Sequence, residues 1–174
     1  MSGHVPLAVL FDLDGTLIDT APEFVAIGLR LRQAAGLPAV APEAIRRSVS
    51  DGAIGMVAAA LEIGTADPTF EQWRQWFLTD YEKGLGQHSE PYPGLRALVS
   101  TLGVSGIKWG VVTNKLSRFA HPLMEKMDFN PPADIVITPD DVSHPKPHPE
   151  SLILACKRLN CPPDRSAFVG DHRR

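Results

Sequence analysis

A continuous apolar run, Leu7-Ala8-Val9-Leu10-Phe11, breaks off into Asp12-Leu13-Asp14-Gly15-Thr16. Few folds accommodate such a join. A run without a polar face is the pattern of a strand buried on both sides in a parallel sheet. Carboxylates stranded at the end of such a strand are costly to bury unless a cation or a proton neutralises them. In open α/β sheets ligands bind beyond the carboxyl ends of the strands, so Asp12 and Asp14 are candidates for chemistry. A plain turn built on Asp14-Gly15 accounts for the same letters, and the rest of the chain must distinguish the two.

Downstream the pattern is helical for a long stretch. Thr20 and Glu23 read as a capping box opening a helix whose face carries Phe24, Ile27, Leu31 and Ala35. Further helices are predicted over 42–49 and 53–61. Asp67-Pro68 reads as an N-cap and first-turn pair for a helix that stacks Phe70, Trp73, Phe77 and Tyr81 on one side. That aromatic stripe is read as packing. After Ser89-Glu90-Pro91 the period changes. Strands at 107–113, 134–138 and 166–170 alternate with helices at 93–102, 116–127 and 148–159, with Pro122 a kink or a break in the middle one. Alternating strands and helices predict an α/β fold, a Rossmann-like parallel sheet with helices on both faces. The domain reading is a core from 1–18 and 91–174, interrupted by an all-helical insertion at 19–90. Such an insertion at a strand-end site suits a lid that excludes water.

The 174 residues suffice for one core with a small insert. A net charge of -3 gives no reason to expect nucleic acid or an anionic membrane as partner. No apolar run is long enough to cross a bilayer, and the first strand follows Met1-Ser2-Gly3-His4 directly, so the expected location is cytoplasmic. Cys156 and Cys161 complete no zinc set and read as a buried thiol and a loop thiol.

Three more strand ends stop in residues suited to phosphate. One ends in Thr113-Asn114, a hydroxyl followed by a residue that tolerates turns. The loop His144-Pro145-Lys146-Pro147-His148-Pro149 sets one lysine among prolines that restrict its backbone. The last strand ends in Gly170-Asp171. Each alone has a bland reading as a cap, a solvated lysine or a turn. Together they resemble the haloacid dehalogenase superfamily of phosphatases. Asp12-Leu13-Asp14-Gly15-Thr16 is similar to that family's first motif, Val112-Thr113-Asn114-Lys115 to its second, Lys146-Pro147 with Pro149 to its third, and Val169-Gly170-Asp171 to the start of its fourth. The inserted helices resemble the family's small cap, and Pro91-Tyr92-Pro93-Gly94 its return hinge. The wording is closest to the phosphoglycolate phosphatase-like branch. Within it, Trp109 to Lys115, Arg118-Phe119-Ala120 and Leu152 to Lys157 are similar to the N-acetylmuramic acid 6-phosphate phosphatases of bacterial cell-wall recycling.

The resemblance implies a small phosphorylated metabolite as substrate and Mg²⁺ as cofactor. It makes Asp12 the nucleophile and Asp14 the general acid and base. Thr113, Asn114 and Lys146 would bind the phosphoryl group, with Lys146 offsetting charge on the nucleophile. Asp12, the backbone carbonyl of Asp14, and Asp171 would hold the metal. Thr16 and Asp19 are read as local capping groups, and Lys115, Arg118 and the histidines as surface or loop residues. The family's fourth motif has a second acid four residues after the first, beyond Arg174, and further core elements follow it. The expectation is therefore a shortened core, four strands plus cap. Two other readings stay open: a phosphatase for 2-phosphoglycolate, against which the absence of Lys or Arg over 50–56 weighs, and a non-catalytic fragment that binds phosphate or a partner protein.

Overall fold

The computed structural model describes residues 5–171. In chain order the elements are β1 (Ala8–Phe11), β2 (Ile18–Asp19), α1 (Ala21–Ala34), α2 (Pro42–Arg46), α3 (Gly52–Leu61), α4 (Phe70–Gly84), β3 (Glu90–Pro91), α5 (Leu95–Val104), β4 (Lys108–Val112), α6 (Ser117–Met127), β5 (Ile135–Ile137), α7 (Glu150–Leu159) and β6 (Ser166–Val169), with short 3₁₀ turns between some of them. The chain divides into two compact units, one of residues 1–19 and 90–174, the other of residues 20–89.

The first unit is a four-stranded parallel sheet in the order β5-β4-β1-β6. The all-apolar run behaves as its composition requires: β1 lies between β4 and β6, with Ala8 opposite both Lys108 and Ser166. Its residues alternate between two cores. Ala8 and Leu10 join Val112, Ile137, Ala155, Cys156 and Leu159 under α7. On the other face Phe11 meets Trp109 edge-on at 6.3 Å, and Trp109 in turn meets Phe129 at 5.4 Å. Arg96 of α5 lies over the Phe129 ring, which places α5 on that side. Helices therefore cover both faces, as the pattern predicts. β2 and β3 form a two-residue antiparallel ribbon where the chain departs and returns, too short for any periodicity to reveal.

The second unit is four helices. Phe24 packs on Phe77 and Tyr81 with ring centroids 5.7 and 4.9 Å apart, and Phe70, Phe77 and Tyr81 are buried while Trp73 is half-buried. The stripe is packing, as read. Gly28 lets α1 approach its neighbours: a methyl there would stand 2.9 Å from Ile45 Cγ2 and 3.2 Å from Met56 Cε. Arg32 is buried, its guanidinium spent on the carbonyls of Pro38 and Ala60 and on Glu62.

Several helix ends differ from the sequence reading. The Thr20–Glu23 capping box does not form, since Thr20 has helical backbone angles and makes no side-chain cap bond. Glu23 is buried instead, accepting the Gly86 N–H and the Ser89 hydroxyl. Asp67 is not the cap of α4 either. Its Oδ1 accepts the N–H and hydroxyl of Thr69 in a turn that precedes the helix. Both misreadings have one cause: a short polar side chain has several backbone groups within reach, and spacing alone does not choose among them. Pro122 lies inside an unbroken α6, and α7 starts at Glu150 rather than 148. Cys161 lies in the loop after α7, as read, and is buried like Cys156. No helix among the described residues is long and apolar enough to cross a membrane.

Close approach of β4 to β5 gives a direct test of this packing. A Cβ on Gly110 would stand 2.5 Å from Ile135 Cγ2 and 2.8 Å from the Ile135 carbonyl oxygen, and the strand backbone has no room to yield. Gly110→Ala should destabilise the protein by about 1–3 kcal/mol. Urea unfolding would read this as a lower midpoint at an unchanged slope.

Candidate active site

At the end of β1 the backbone continues its ladder for one residue, the Asp12 N–H donating to the Val169 carbonyl at 2.8 Å. It then turns. Gly15 takes φ +78°, a left-handed angle that a side chain disfavours. The turn closes through Gly15 N–H to Ile18 O and through Leu17 and Ile18 N–H to Leu13 O. A continued strand would send Asp12 and Asp14 on from the same face; the turn instead gives each its own partner.

Asp12 is held at both oxygens. Oδ1 accepts the Leu13 N–H at 2.7 Å, and Oδ2 pairs with Lys146 Nζ at 2.8 Å. Lys146 in turn donates to the Val112 carbonyl at 2.8 Å and lies over the Phe168 ring. Its ammonium thus reaches across from the loop after β5 to the ends of β4 and β1. Asn114 anchors that loop, its amide donating to the Lys146 carbonyl at 2.9 Å. This gives Asn114 a positioning contact, besides the phosphate-binding reading drawn from the sequence.

Asp14 pairs with Lys115, Oδ1 to Nζ at 2.8 Å. This corrects the reading of Lys115 as a surface lysine: its side chain is only 5% exposed. The Lys115 N–H donates to Thr113 Oγ1 at 3.0 Å, so Thr113, buried at the end of β4, fixes the turn that aims this lysine. Lys115 directly follows the Thr113-Asn114 pair and closes the stretch similar to the second motif, and these are the signals for it in the sequence.

Asp171 sits against the turn after β1. Its N–H donates to Thr16 Oγ1 at 3.0 Å, and the Thr16 hydroxyl lies 3.3 Å from Asp171 Oδ1. Thr16 is therefore more than a local cap. Gly15 leaves the space that the Asp171 carboxylate fills, because a Cβ there would fall 2.5 Å from Oδ2. All the residues singled out for chemistry thus gather at the carboxyl ends of the four parallel strands. The cleft of about 580 Å³ beside Ser100, Lys108, Trp109, Pro131 and Asp134 is elsewhere, at the amino end of β4.

What this arrangement can do follows from its charges. Carboxylates from β1 and β6 converge with two lysines that are each tied to one acid. A carboxylate with both oxygens fixed can act as a nucleophile, and a second one nearby can move protons. Donors of carboxylate and carbonyl oxygen suit a hard divalent cation, and the space left by Gly15 admits the Asp171 carboxylate beside the turn after β1. The residues therefore fit a Mg²⁺ ion.

Residues 9–174 match the family model described as haloacid dehalogenase-like hydrolase. The chain is 45% identical over 167 residues to the N-acetylmuramic acid 6-phosphate phosphatase of Pseudomonas aeruginosa, a match covering 96% of this chain and 74% of that protein. It is 32% identical over 172 residues to a phosphoglycolate phosphatase of Xanthomonas campestris, covering 97% of this chain and 76% of that one. Among solved structures, a HAD-superfamily hydrolase of subfamily IA from Geobacter sulfurreducens superimposes with a TM-score of 0.78 at 24% identity, over 99% of this chain and 82% of the other. That likeness speaks for the fold alone. With a family model matching nearly its whole length and such relatives, the chain belongs to the haloacid dehalogenase-like hydrolases.

Proposed function

We propose that this protein is a Mg²⁺-dependent phosphomonoesterase that works through an aspartyl-phosphate, with N-acetylmuramic acid 6-phosphate as its substrate. The observation that carries the reading is the pairing of each acid of the first motif with its own lysine, Asp12 with Lys146 and Asp14 with Lys115. Two carboxylates in different environments at one strand end are what a two-step phosphoryl transfer needs.

In the first step an oxygen of Asp12 attacks phosphorus, and the bond to the sugar oxygen breaks as Asp14 delivers a proton to it. In the second, Asp14 takes a proton from water, whose oxygen attacks the same phosphorus. The P–O bond to Asp12 breaks and the carboxylate is restored. Lys146 and the Leu13 N–H hold Asp12 in one orientation throughout. Lys115 holds Asp14 in the same way. Thr113 and Lys146 serve the phosphoryl oxygens, and Asn114 sets the loop that delivers Lys146. Asp12, the Asp14 carbonyl and Asp171 would hold Mg²⁺. When bound, the ion supplies the positive charge that phosphate oxygens require. The count supports that need: three carboxylates face two ammonium groups here, so an incoming phosphate dianion meets a site already short of positive charge.

The substrate rests on the relatives. Identity to the N-acetylmuramic acid 6-phosphate phosphatase of Pseudomonas aeruginosa is 45%, against 32% to the phosphoglycolate phosphatase of Xanthomonas campestris. Phosphate release should be measured with both compounds and with an aryl phosphate, each with Mg²⁺ and with chelator. The muramic compound should give the highest kcat/KM, and chelator should abolish turnover. Equal rates on all three would remove the substrate assignment.

Asp12→Asn should lower kcat by several orders of magnitude, as loss of a nucleophile does in covalent enzymes. Wild-type turnover in that variant would sink the mechanism. Lys115→Met, which frees Asp14 from its partner, should lower kcat by roughly 10²-fold, the lower end of what a general acid–base group supplies. It should also change the pH profile of kcat, and Lys115→Arg should recover part of both. A Lys115→Met enzyme with an unaltered pH profile would show that the lysine does not act through Asp14.

A further inference from the structure

The segment that delivers Lys146 carries a second cluster, which the phosphatase reading does not use. His144 and His148 flank the lysine, and Glu150 opens α7 just after them. One ligand atom from each of the three lies within 4.8 Å of the others, and among the described residues this is the one His, Cys, Asp or Glu trio found so close. His144 Nδ1 is 2.9 Å from Glu150 Oε2, His148 Nδ1 is 3.8 Å from the same oxygen, and the two imidazole rings are 4.8 Å apart. Ligands bound at about 2.0–2.1 Å in tetrahedral array stand roughly 3.3 Å from one another, midway between those two separations. From this geometry we infer that His144, His148 and Glu150 form a binding site for a borderline divalent transition metal of the Zn²⁺ class, distinct from the Mg²⁺ site at Asp12.

The chemistry of the ligands selects that class. Two imidazoles and one carboxylate favour Zn²⁺, Co²⁺ or Ni²⁺, whereas Mg²⁺ prefers oxygen donors throughout. Glu150 is already oriented for the task. It accepts the N–H groups of Ser143 and His144 at 2.9 and 3.0 Å. The Ser143 N–H first, and then the His144 ring, hold its carboxyl below the usual glutamate range against a small opposing effect of burial, which keeps it ionised. His148 Nδ1 accepts the Glu150 N–H over a long 3.3 Å. Its lone pair is directed at that N–H, a weak bond that a metal at Nδ1 would replace. Each imidazole must offer the ion an unprotonated ring nitrogen, so binding weakens in acid. Pro145, Pro147 and Pro149 alternate with the ligands and the lysine, reducing the freedom that a bound ion must remove. The side chains of His144 and His148 are 68% and 54% exposed, which leaves an entry path and positions for water to complete the coordination.

Because the ion would join residues on either side of Lys146, occupancy braces the segment that pairs with Asp12. The site itself does not depend on the phosphatase mechanism, and its test is binding rather than turnover. Co²⁺ should be titrated into the full chain in excess Mg²⁺, following the visible d–d bands of a low-symmetry site, with Zn²⁺ calorimetry alongside. One ion per chain is expected, with Asp12→Asn binding like the wild type. Loss of an outer-shell partner alone weakens metal sites by roughly 10–100-fold, and loss of a ligand should exceed that, so His144→Ala and His148→Ala should each weaken binding at least tenfold. Both positions are exposed, so both variants should fold, which circular dichroism would verify. Binding lost in Asp12→Asn but kept in the histidine variants would place the ion at the carboxylates and overturn the inference. Absence of Co²⁺ and Zn²⁺ binding in the wild type would overturn it equally.

Discussion

The ion pair between Asp12 and Lys146 ties together parts of the core that are far apart in sequence. One partner ends β1, and the other sits in the loop between β5 and α7. The lysine also caps the last carbonyl of β4, and Asn114 binds the loop from the other side. A single ammonium thus fixes where three strand ends stand relative to one another. The pair is largely shielded, with side chains 12% and 21% exposed. Removing either charge leaves the other poorly solvated, at a cost below the roughly 3–5 kcal/mol typical of fully buried pairs but of the same sign. The role proposed for Lys146 in catalysis and its structural role therefore coincide, and stability should be measured beside activity in any variant of it.

Around that pair the backbone does work that side chains could not. Asp171 approaches the turn after β1 because Gly15 has no Cβ to stand in its way. Gly15 is constrained twice, by its φ of +78° and by the carboxylate that occupies the place of its missing side chain. The first-motif turn and the fourth-motif acid are in this sense one structure. Thr16 completes it by exchanging hydrogen bonds with Asp171.

What was legible in the sequence divides along physical lines. The sheet and its helices could be read because β1 is apolar throughout, β4 is apolar after Lys108, and the helices carry periodic faces, signals that burial imposes on long stretches. Asp12, Asp14 and Lys146 could be read because their neighbours restrict the backbone: a strand end, a glycine, three prolines. Lys115 could not. A lysine is solvated by default, and nothing in the letters shows that a turn set by Thr113 sends it inward to Asp14. Glu23 and Asp67 were misassigned for a related reason, since the partners of a polar side chain depend on what the fold brings near. Gly86 and Ser89 lie more than sixty residues from Glu23. The histidine pair was visible as letters but silent as chemistry, because only the start of α7 at Glu150 supplies its third member.

The two lysines show why pairing, rather than the acids themselves, is the informative feature. Two carboxylates at one strand end, left alone, would repel each other and resist sharing a phosphate. If one lysine served both, the acids would be electrostatically alike and neither would be committed to a role. Here the cations come from different elements, Lys115 from the turn after β4 and Lys146 from the loop before α7. They also differ in exposure, Lys115 at 5% and Lys146 at 12% of their side chains, and the acids they hold differ in the opposite sense, Asp14 at 34% and Asp12 at 21%. The more sheltered acid has both oxygens fixed, as a nucleophile requires. The more open one keeps access to solvent, as a group that must exchange protons with a leaving alcohol and then with water requires. The division of labour proposed for Asp12 and Asp14 thus follows from where the chain places their counter-ions.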